Sequence, residues 1–341
     1  MSNFRKGVLA FLFTVLGVGA ALLGYGWYQI NQNQVLPNDE VVVGIPAGYG
    51  SEQIIDLLLD KGILANRFSS LVYLYFSPYR GRLQAGEYVF DGSLNVEGVF
   101  QKLADGQVRL YTFTVPEGLR IDQMAVRWEE AGFGSAGDFL EATENALDDV
   151  LEINPAAVSA EGYLFPETYS FPRNVSAQEG VRAMLAGFRG AVGRLEAVLD
   201  AGEWPLDLND TLTLASLIES EAAIPDERVV ISSVFHNRLN LGMKLDCDPT
   251  VVYALIQGGA YRGRLLRADL TLDSPYNTYV YGGLPPGPIS NPGFASLLAA
   301  LQPEESDYLF FVRAEAGRHA FSRNISEHNR AVAAYRRLQG Q

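Results

Sequence analysis

Twenty-two consecutive residues, Gly7 to Tyr28, carry no charge and are mostly apolar. At ~1.5 Å per residue a helix of that length can cross the ~30 Å hydrocarbon core of a bilayer, so this run constrains everything that follows it. Arg5 and Lys6 precede it, and Tyr25, Trp27 and Tyr28 close it. That pattern fits an amino terminus held in the cytoplasm and an aromatic belt at the opposite interface. The remainder of the chain is then expected outside the cytoplasm. The alternative is a cleaved signal peptide. Against it stand a run longer than a usual signal core and the lack of a small-x-small cleavage site after it.

Composition limits the function. Among 341 residues, 48% are hydrophobic and 11% aromatic, enough for two domains or more with real cores. A net charge of −14 argues against nucleic acid as a partner, because a polyanion is bound by a basic surface that releases its counterions. Cys247 is the one cysteine and there are three histidines, so neither an internal disulfide nor the repeated spacing of a zinc site is possible.

Residues 31–39 are polar and include Pro37, which reads as a short tether. Beyond them an internal echo appears. IPAGYGSEQIIDLLLDKGI from Ile45 aligns with VPEGLRIDQMAVRWEEAGF from Val115, with Pro46 and Pro116, Gly48 and Gly118, Ile54 and Met124, and Gly62 and Gly132 at one constant offset. Each copy predicts a strand, a Pro-x-Gly turn and a helix stopped by glycine. With a strand ending at Phe90 and a helix from Asn95 to Leu103, residues 40–110 are expected to form a small α+β module. Helical patterns dominate from Asp122 to Leu199, broken by EGYLFPETYSF (Glu161 to Phe171), which reads as a loop with exposed rings. Two helices are expected at Asp210–Ala223 and Pro225–Leu241, the second opened by proline and closed by Gly242. A Gly-, Pro-, Tyr- and Asn-rich run (Tyr276 to Gly293), a strand DYLFFVRA and a terminal helix near Ser326 follow.

The helix LTLASLIESEA carries the chemistry. On a wheel of ~100° per residue, Leu214, Leu217 and Ile218 form an apolar arc with Glu221 in its middle, while Glu219 points away with Ser216 and Ser220. A carboxyl on an apolar face at the negative end of its helix resists ionisation, as a general acid must near neutral pH. The competing reading is that Arg228 or Arg238 neutralises Glu221 in the interior.

The stretches Leu212 to Leu255 and Ser274 to Gly293, together with EGYLFPETY, resemble the YceG-like family of endolytic murein transglycosylases, and the similarity covers nearly the whole chain beyond the apolar run. The resemblance implies an α+β protein in four parts: a cytoplasmic tip and transmembrane anchor (1–30), a tether (31–39), a LysM-like module (40–110) and a mainly α catalytic domain with a small β component (111–341). It implies an inner-membrane enzyme with its catalytic domain in the periplasm. The substrate is the peptidoglycan glycan strand, no metal or organic cofactor takes part, and peptidoglycan synthases are candidate partners. The second glutamate of the family's E-x-E pair is catalytic and maps onto Glu221. A hydrolase usually needs two carboxylates, whereas a lytic transglycosylase manages with one. Tyr276, Asn277, Thr278, Asp248 and Tyr163 are the candidates for holding the sugar.

Family members often carry Gln before a T-D-P-T stretch, whereas this chain has Asp246 and Cys247 before Asp248-Pro249-Thr250. Asp246 is either a second acid/base that favours hydrolysis or a solvated loop residue. Tyr163, Phe165 and Tyr169 either stack on sugars or plug a core. Cys247, His236, His319 and His328 read as structural. A wall-binding scaffold without turnover and a muramidase-type hydrolase are the competing functions.

Overall fold

A computed structural model describes residues 2–199, 204–314 and 317–338. The chain forms two units, Met1–Tyr111 with Ser170–Asn174, and Thr112–Tyr169 with Val175–Gln341. The architecture is mixed α+β, mostly helical, with three two-stranded sheets.

The first unit begins with α1 (Ser2–Asn31). Its apolar part, Gly7–Asn31, has a mean hydropathy of 2.2, and Leu12, Phe13 and Leu16 on it face outward instead of into a core. There follow β1 (Gln34–Ile45), α2 (Ser51–Asp60), α3 (Arg67–Phe76), β2 (Gly86–Leu94) and α4 (Val96–Ala104). β1 and β2 pair antiparallel, Val41 opposite Phe90 and Val43 opposite Tyr88. Every second residue of β1 from Val41 to Ile45 is buried, as strand geometry dictates for a sheet with one covered face. Ile55 and Leu58 of α2 and Val99, Phe100 and Leu103 of α4 cover that face. The tether expected at residues 31–39 is instead absorbed into structure: α1 runs to Asn31 and β1 starts at Gln34. The ladder is irregular between Val35 and Glu40, which lets Pro37, with no N–H to donate, sit inside a strand.

β3 (Leu110–Thr114) and β4 (Thr168–Pro172) form the second sheet. The other helices are α5 (Ile121–Glu130), α6 (Ala136–Asn145), α7 (Leu147–Ile153), α8 (Ala177–Val198), α9 (Leu208–Glu221), α10 (Arg228–Asn240), α11 (Asp248–Gln257), α12 (Phe294–Leu301) and α13 (Ile325–Leu338). The third sheet is the antiparallel hairpin of β5 (Phe310–Arg313) and β6 (His319–Ser322).

The internal echo is structural. The sequence offset that relates Gly48 to Gly118 also relates both ends of α2 to both ends of α5. Gly48 and Gly118 take φ of 84° and 78°, and Gly62 and Gly132 take 70° and 75°, left-handed values that a side chain disfavours. Gln53 and Gln123 each accept a hydrogen bond from the backbone three residues earlier, at Gly50 and Arg120.

α9 differs from its wheel. Every residue from Thr211 to Ile218 is buried, because α9 packs against α10, α11 and α12. It is a central helix, enclosed along its middle and open to solvent only towards its ends. The buried Ser216 hydroxyl donates to the Thr213 carbonyl at 2.7 Å and accepts from the Ile289 N–H at 3.0 Å. The rings of the Glu161–Phe171 stretch, expected to be exposed, are inside as well: Tyr163, Phe165 and Phe171 all belong to the core.

Candidate active site

α9 ends at Glu221 because Ala222 turns extended and Pro225 opens a new turn three residues beyond it. Its last carboxylates have separate fates. Glu219, expected on a polar side, is enclosed: its Oε1 lies 3.0 Å from Arg228 Nη2, and its Oε2 accepts the Gly293 N–H at 3.0 Å. Arg228 also reaches Glu117 at 3.4 Å and donates from Nε to Ser296 at 3.0 Å. Arg238 is occupied elsewhere too. Its Nη1 donates to the Lys244 and Leu245 carbonyls at 2.9 and 3.0 Å and to Asp246 Oδ2 at 3.0 Å, and its Nε donates to the Leu309 carbonyl. Arg228 and Arg238, the two arginines of the competing reading, are therefore committed to other groups.

Glu221 lies in the wall of a cleft of about 1040 Å³. Burial pushes its carboxyl above the ordinary carboxylate range. The Cys247 thiol, which donates to Oε1 at 3.4 Å, opposes that push; the negative charge of Asp248 adds to it, and His319 and Arg313 pull back. Among the described residues Glu221 makes no ion pair. The arrangement is a carboxyl whose protonated form burial favours, on the wall of the cleft.

The opposite walls come from distant parts of the second unit. Asp248 starts α11 and accepts the Tyr279 hydroxyl at 2.7 Å. Asp246 takes the left-handed φ of 49°, the one non-glycine residue among those described to do so, a conformation Asp tolerates better than most residues. Its ion pair with Arg238 ties down the loop between α10 and α11, while its side chain stays 44% exposed to solvent. The β5–β6 hairpin contributes Arg313 and His319. His319 Nδ1 is 2.7 Å from Glu227 Oε2, and its N–H donates to Glu227 Oε1 at 2.9 Å. Because a carboxylate can only accept, Nδ1 carries the proton in that pair.

Of the residues expected to hold the sugar, Asp248 faces the cleft. Tyr276 is half-buried with its ring 4.9 Å from that of Tyr253, a cleft residue. Three others are enclosed, which corrects the expectation that they present surface to a ligand. Asn277 donates to the Leu270 and Leu272 carbonyls at 3.1 and 2.8 Å and accepts from the Tyr279 N–H at 2.9 Å. Thr278 Oγ1 accepts from the Cys247 N–H at 3.0 Å and meets Thr250 Oγ1 at 2.9 Å. Tyr163 is fully buried, bonded to Asn154 at 2.6 Å and edge-on to Phe188. Asn277 and Thr278 brace the loop that carries Tyr279; Tyr163 is core.

A second buried carboxyl, Glu161, accepts from the Ile121 N–H at 3.1 Å and from Asn291 Nδ2 at 2.9 Å. Burial pushes it up to about 8. Asn291 also accepts from the Leu164 N–H and donates to the Leu119 carbonyl, both at 2.9 Å. It thereby ties EGYLFP to the segments carrying the cleft residues Leu119 and Ser290. Tyr279, Arg313 and His319 line the cleft without having been expected there, and the buried Glu161–Asn291 pair lies behind it. Tyr279 lay within the recognised loop. The hairpin residues come from a remote part of the chain with no local spacing to mark them.

The second unit thus carries a desolvated carboxyl at a helix end, on the wall of a cleft that also holds tyrosines and the partnered carboxylates Asp246 and Asp248. The chain belongs to the YceG-like family, which it matches over residues 43–334. It is 33% identical to a Bacillus subtilis (strain 168) protein named endolytic murein transglycosylase, over 93% of this chain and 91% of that one. It is 29% identical to the protein of the same name from Streptococcus pneumoniae serotype 2 (strain D39), over 98% of this chain and 66% of that one. A crystal structure of a yceG-like protein from Listeria monocytogenes is similar with a TM-score of 0.58 at 33% identity, covering 85% of this chain and 98% of that one.

Proposed function

We propose that this protein is a membrane-anchored endolytic lytic transglycosylase that cuts the MurNAc–GlcNAc bond of nascent peptidoglycan strands and leaves 1,6-anhydro-MurNAc ends. The observation that carries the reading is Glu221, a desolvated carboxyl on a cleft wall, with Arg228 and Arg238 bound to other carboxylates. The names of the Bacillus and Streptococcus relatives support the same reaction class.

In the proposed reaction Glu221 donates its proton to the bridging oxygen as the bond from that oxygen to the muramic acid C1 breaks. The 6-hydroxyl oxygen of the same sugar then bonds to C1, and its proton returns to the Glu221 carboxylate. No water is consumed and the acid is regenerated. The oxocarbenium-like transition state draws on polar groups already in place; Asp248, on the cleft wall and held by Tyr279, is the candidate. Tyr276 supports this wall through Tyr253, with Asn277 and Thr278 bracing the loop from behind. Asp246 and Asp248 are each tied to a partner, Arg238 and Tyr279, which argues against either as the free base of a hydrolase.

α1 serves as a single-pass inner-membrane anchor with a cytoplasmic amino terminus, so the cleft lies outside the cytoplasm and near strands as they are made, where peptidoglycan synthases are candidate partners. The β-α-α-β order from β1 to β2 supports the LysM-like reading of the first unit. The test is digestion of purified glycan strands by the full-length protein in H2¹⁸O, read by mass spectrometry. Anhydro ends free of ¹⁸O are expected. Reducing ends carrying ¹⁸O would make it a hydrolase, and no cleavage a scaffold.

A further inference from the structure

In a chain of net charge −14, residues 67–82 contain Arg67, Arg80 and Arg82 and no acidic residue. The first ten form α3, capped by the Asn66 side chain, which accepts the Ser69 N–H at 3.0 Å. One side of α3 is core: Ser69, Ser70 and Leu74 are buried, and Leu71 and Tyr73 pack on the same cluster. The other side is apolar and uncovered. Phe68 is 78% exposed and Phe76 82%, with Val72 and Tyr75 exposed between them. Spacings of four, seven and eight residues from Phe68 place all four on one helical face. Arg80 lies 4.2 Å over the Tyr75 ring. Leaving a large apolar side chain in water instead of burying it forgoes about 1.5–3 kcal/mol, and a contiguous patch of this kind marks an interaction surface.

The neighbour of this face is α1. The two helices pack together within the first unit, and Ile30, near the end of α1, reaches the same core cluster as Leu71 and Tyr73. The apolar span Gly7–Asn31 measures about 37 Å as a helix, longer than the ~30 Å hydrocarbon core. Its last turns therefore reach headgroup level, where Tyr25, Trp27 and Tyr28 are exposed as an interfacial belt. α3, packed at that end, stands at the same depth.

We infer that the exposed face of α3 docks into the headgroup–acyl boundary of the bilayer that α1 spans, with Phe68 and Phe76 among the acyl chains and Arg80 and Arg82 against anionic lipid headgroups. The inference rests on α1 being the anchor. Docking gives the first unit a second attachment and holds it flat on the membrane, where a lone helix would leave it free to swing.

The test uses the full-length protein in vesicles of phosphatidylcholine and phosphatidylglycerol, with an environment-sensitive fluorophore on one introduced cysteine in a Cys247→Ser background. The sites are Val72→Cys, between the two phenylalanines; Leu16→Cys, in the span; and Val42→Cys, on the sheet face opposite the helices. The expected result is strong quenching of the Leu16 label by deep spin-labelled lipid. The Val72 label should be quenched several-fold more than the Val42 label by shallow spin-labelled lipid, and Phe68→Ser with Phe76→Ser should abolish that excess. Equal quenching at Val72 and Val42 with Leu16 still quenched would overturn the docking and leave the anchor standing. An unquenched Leu16 label would overturn the anchor and the docking with it. Cross-linking between two Val72→Cys copies without lipid quenching would assign the face to a second copy and overturn the inference.

Discussion

Glu219→Gln and Glu221→Gln make the same chemical change two residues apart, and their surroundings dictate opposite effects on stability. Glu219 is bonded through both oxygens, to Arg228 and to the Gly293 N–H, and its side chain is 6% exposed. Removing one member of a buried ion pair costs about 3–5 kcal/mol, because the other charge stays buried. Glu117 remains 3.4 Å from Arg228, so the lower end applies, about 3 kcal/mol. For a unit of roughly two hundred residues that lowers Tm by about 6–12 °C. Glu221 is the reverse case. Folding raises its pKa, so its contribution to stability is complete below the ordinary carboxylate pKa and is lost as pH rises through the raised value. An amide does not ionise, so Glu221→Gln keeps or gains Tm at pH 8. The assay is thermal unfolding of the full-length protein in detergent, followed by circular dichroism at pH 8. A wild-type Tm for Glu219→Gln, or equal losses in both variants, would refute the reasoning.

The other expectations are as follows. Asp248→Asn removes a negative charge that helps keep the Glu221 proton in place, so the alkaline limb of the kcat–pH profile moves to lower pH; an unmoved limb would count against Glu221 as the acid. Glu161, raised to about 8, loses its stabilising contribution as pH climbs from the ordinary carboxylate range through 8, so Glu161→Gln flattens the fall of Tm across that window. Gly162 has φ of 90°, and a Cβ there would lie 2.4 Å from Pro288 Cγ. Gly162→Ala therefore costs about 2 kcal/mol or more through strain and overpacking, measured as a lower denaturation midpoint at unchanged m-value.

What was legible in the sequence was local. The repeated prolines and glycines mark α2 and α5 by short-range chemistry alone. Pro225 and Gly242, the latter at φ of 64°, bracket α10 in the same way. The arc of Leu214, Leu217 and Ile218 is buried, with Glu221 at its edge. The wheel failed on the other face of α9, since it assumes that a hydroxyl points to water, whereas Thr211, Thr213 and Ser216 are fully enclosed. Asn277 and Thr278 looked like ligand contacts because polar loop residues usually face solvent. Here their bonds close the loop on itself, and that depends on carbonyls no periodicity reveals. His319 and Arg313 reach the cleft only because β5 and β6 fold back toward α10, a tertiary fact with no sequence spacing to announce it.

The central claim concerns one proton. Rates of anhydro-end formation by wild type and Glu221→Gln, measured on the same glycan strands at equal folded concentration with Tm recorded for both, test it most directly. A general acid–base group contributes typically 10²–10⁴-fold, so the variant is expected to lose about 10³-fold or more in kcat while keeping its Tm. A folded Glu221→Gln variant that still forms anhydro ends within a few-fold of the wild-type rate would contradict the account.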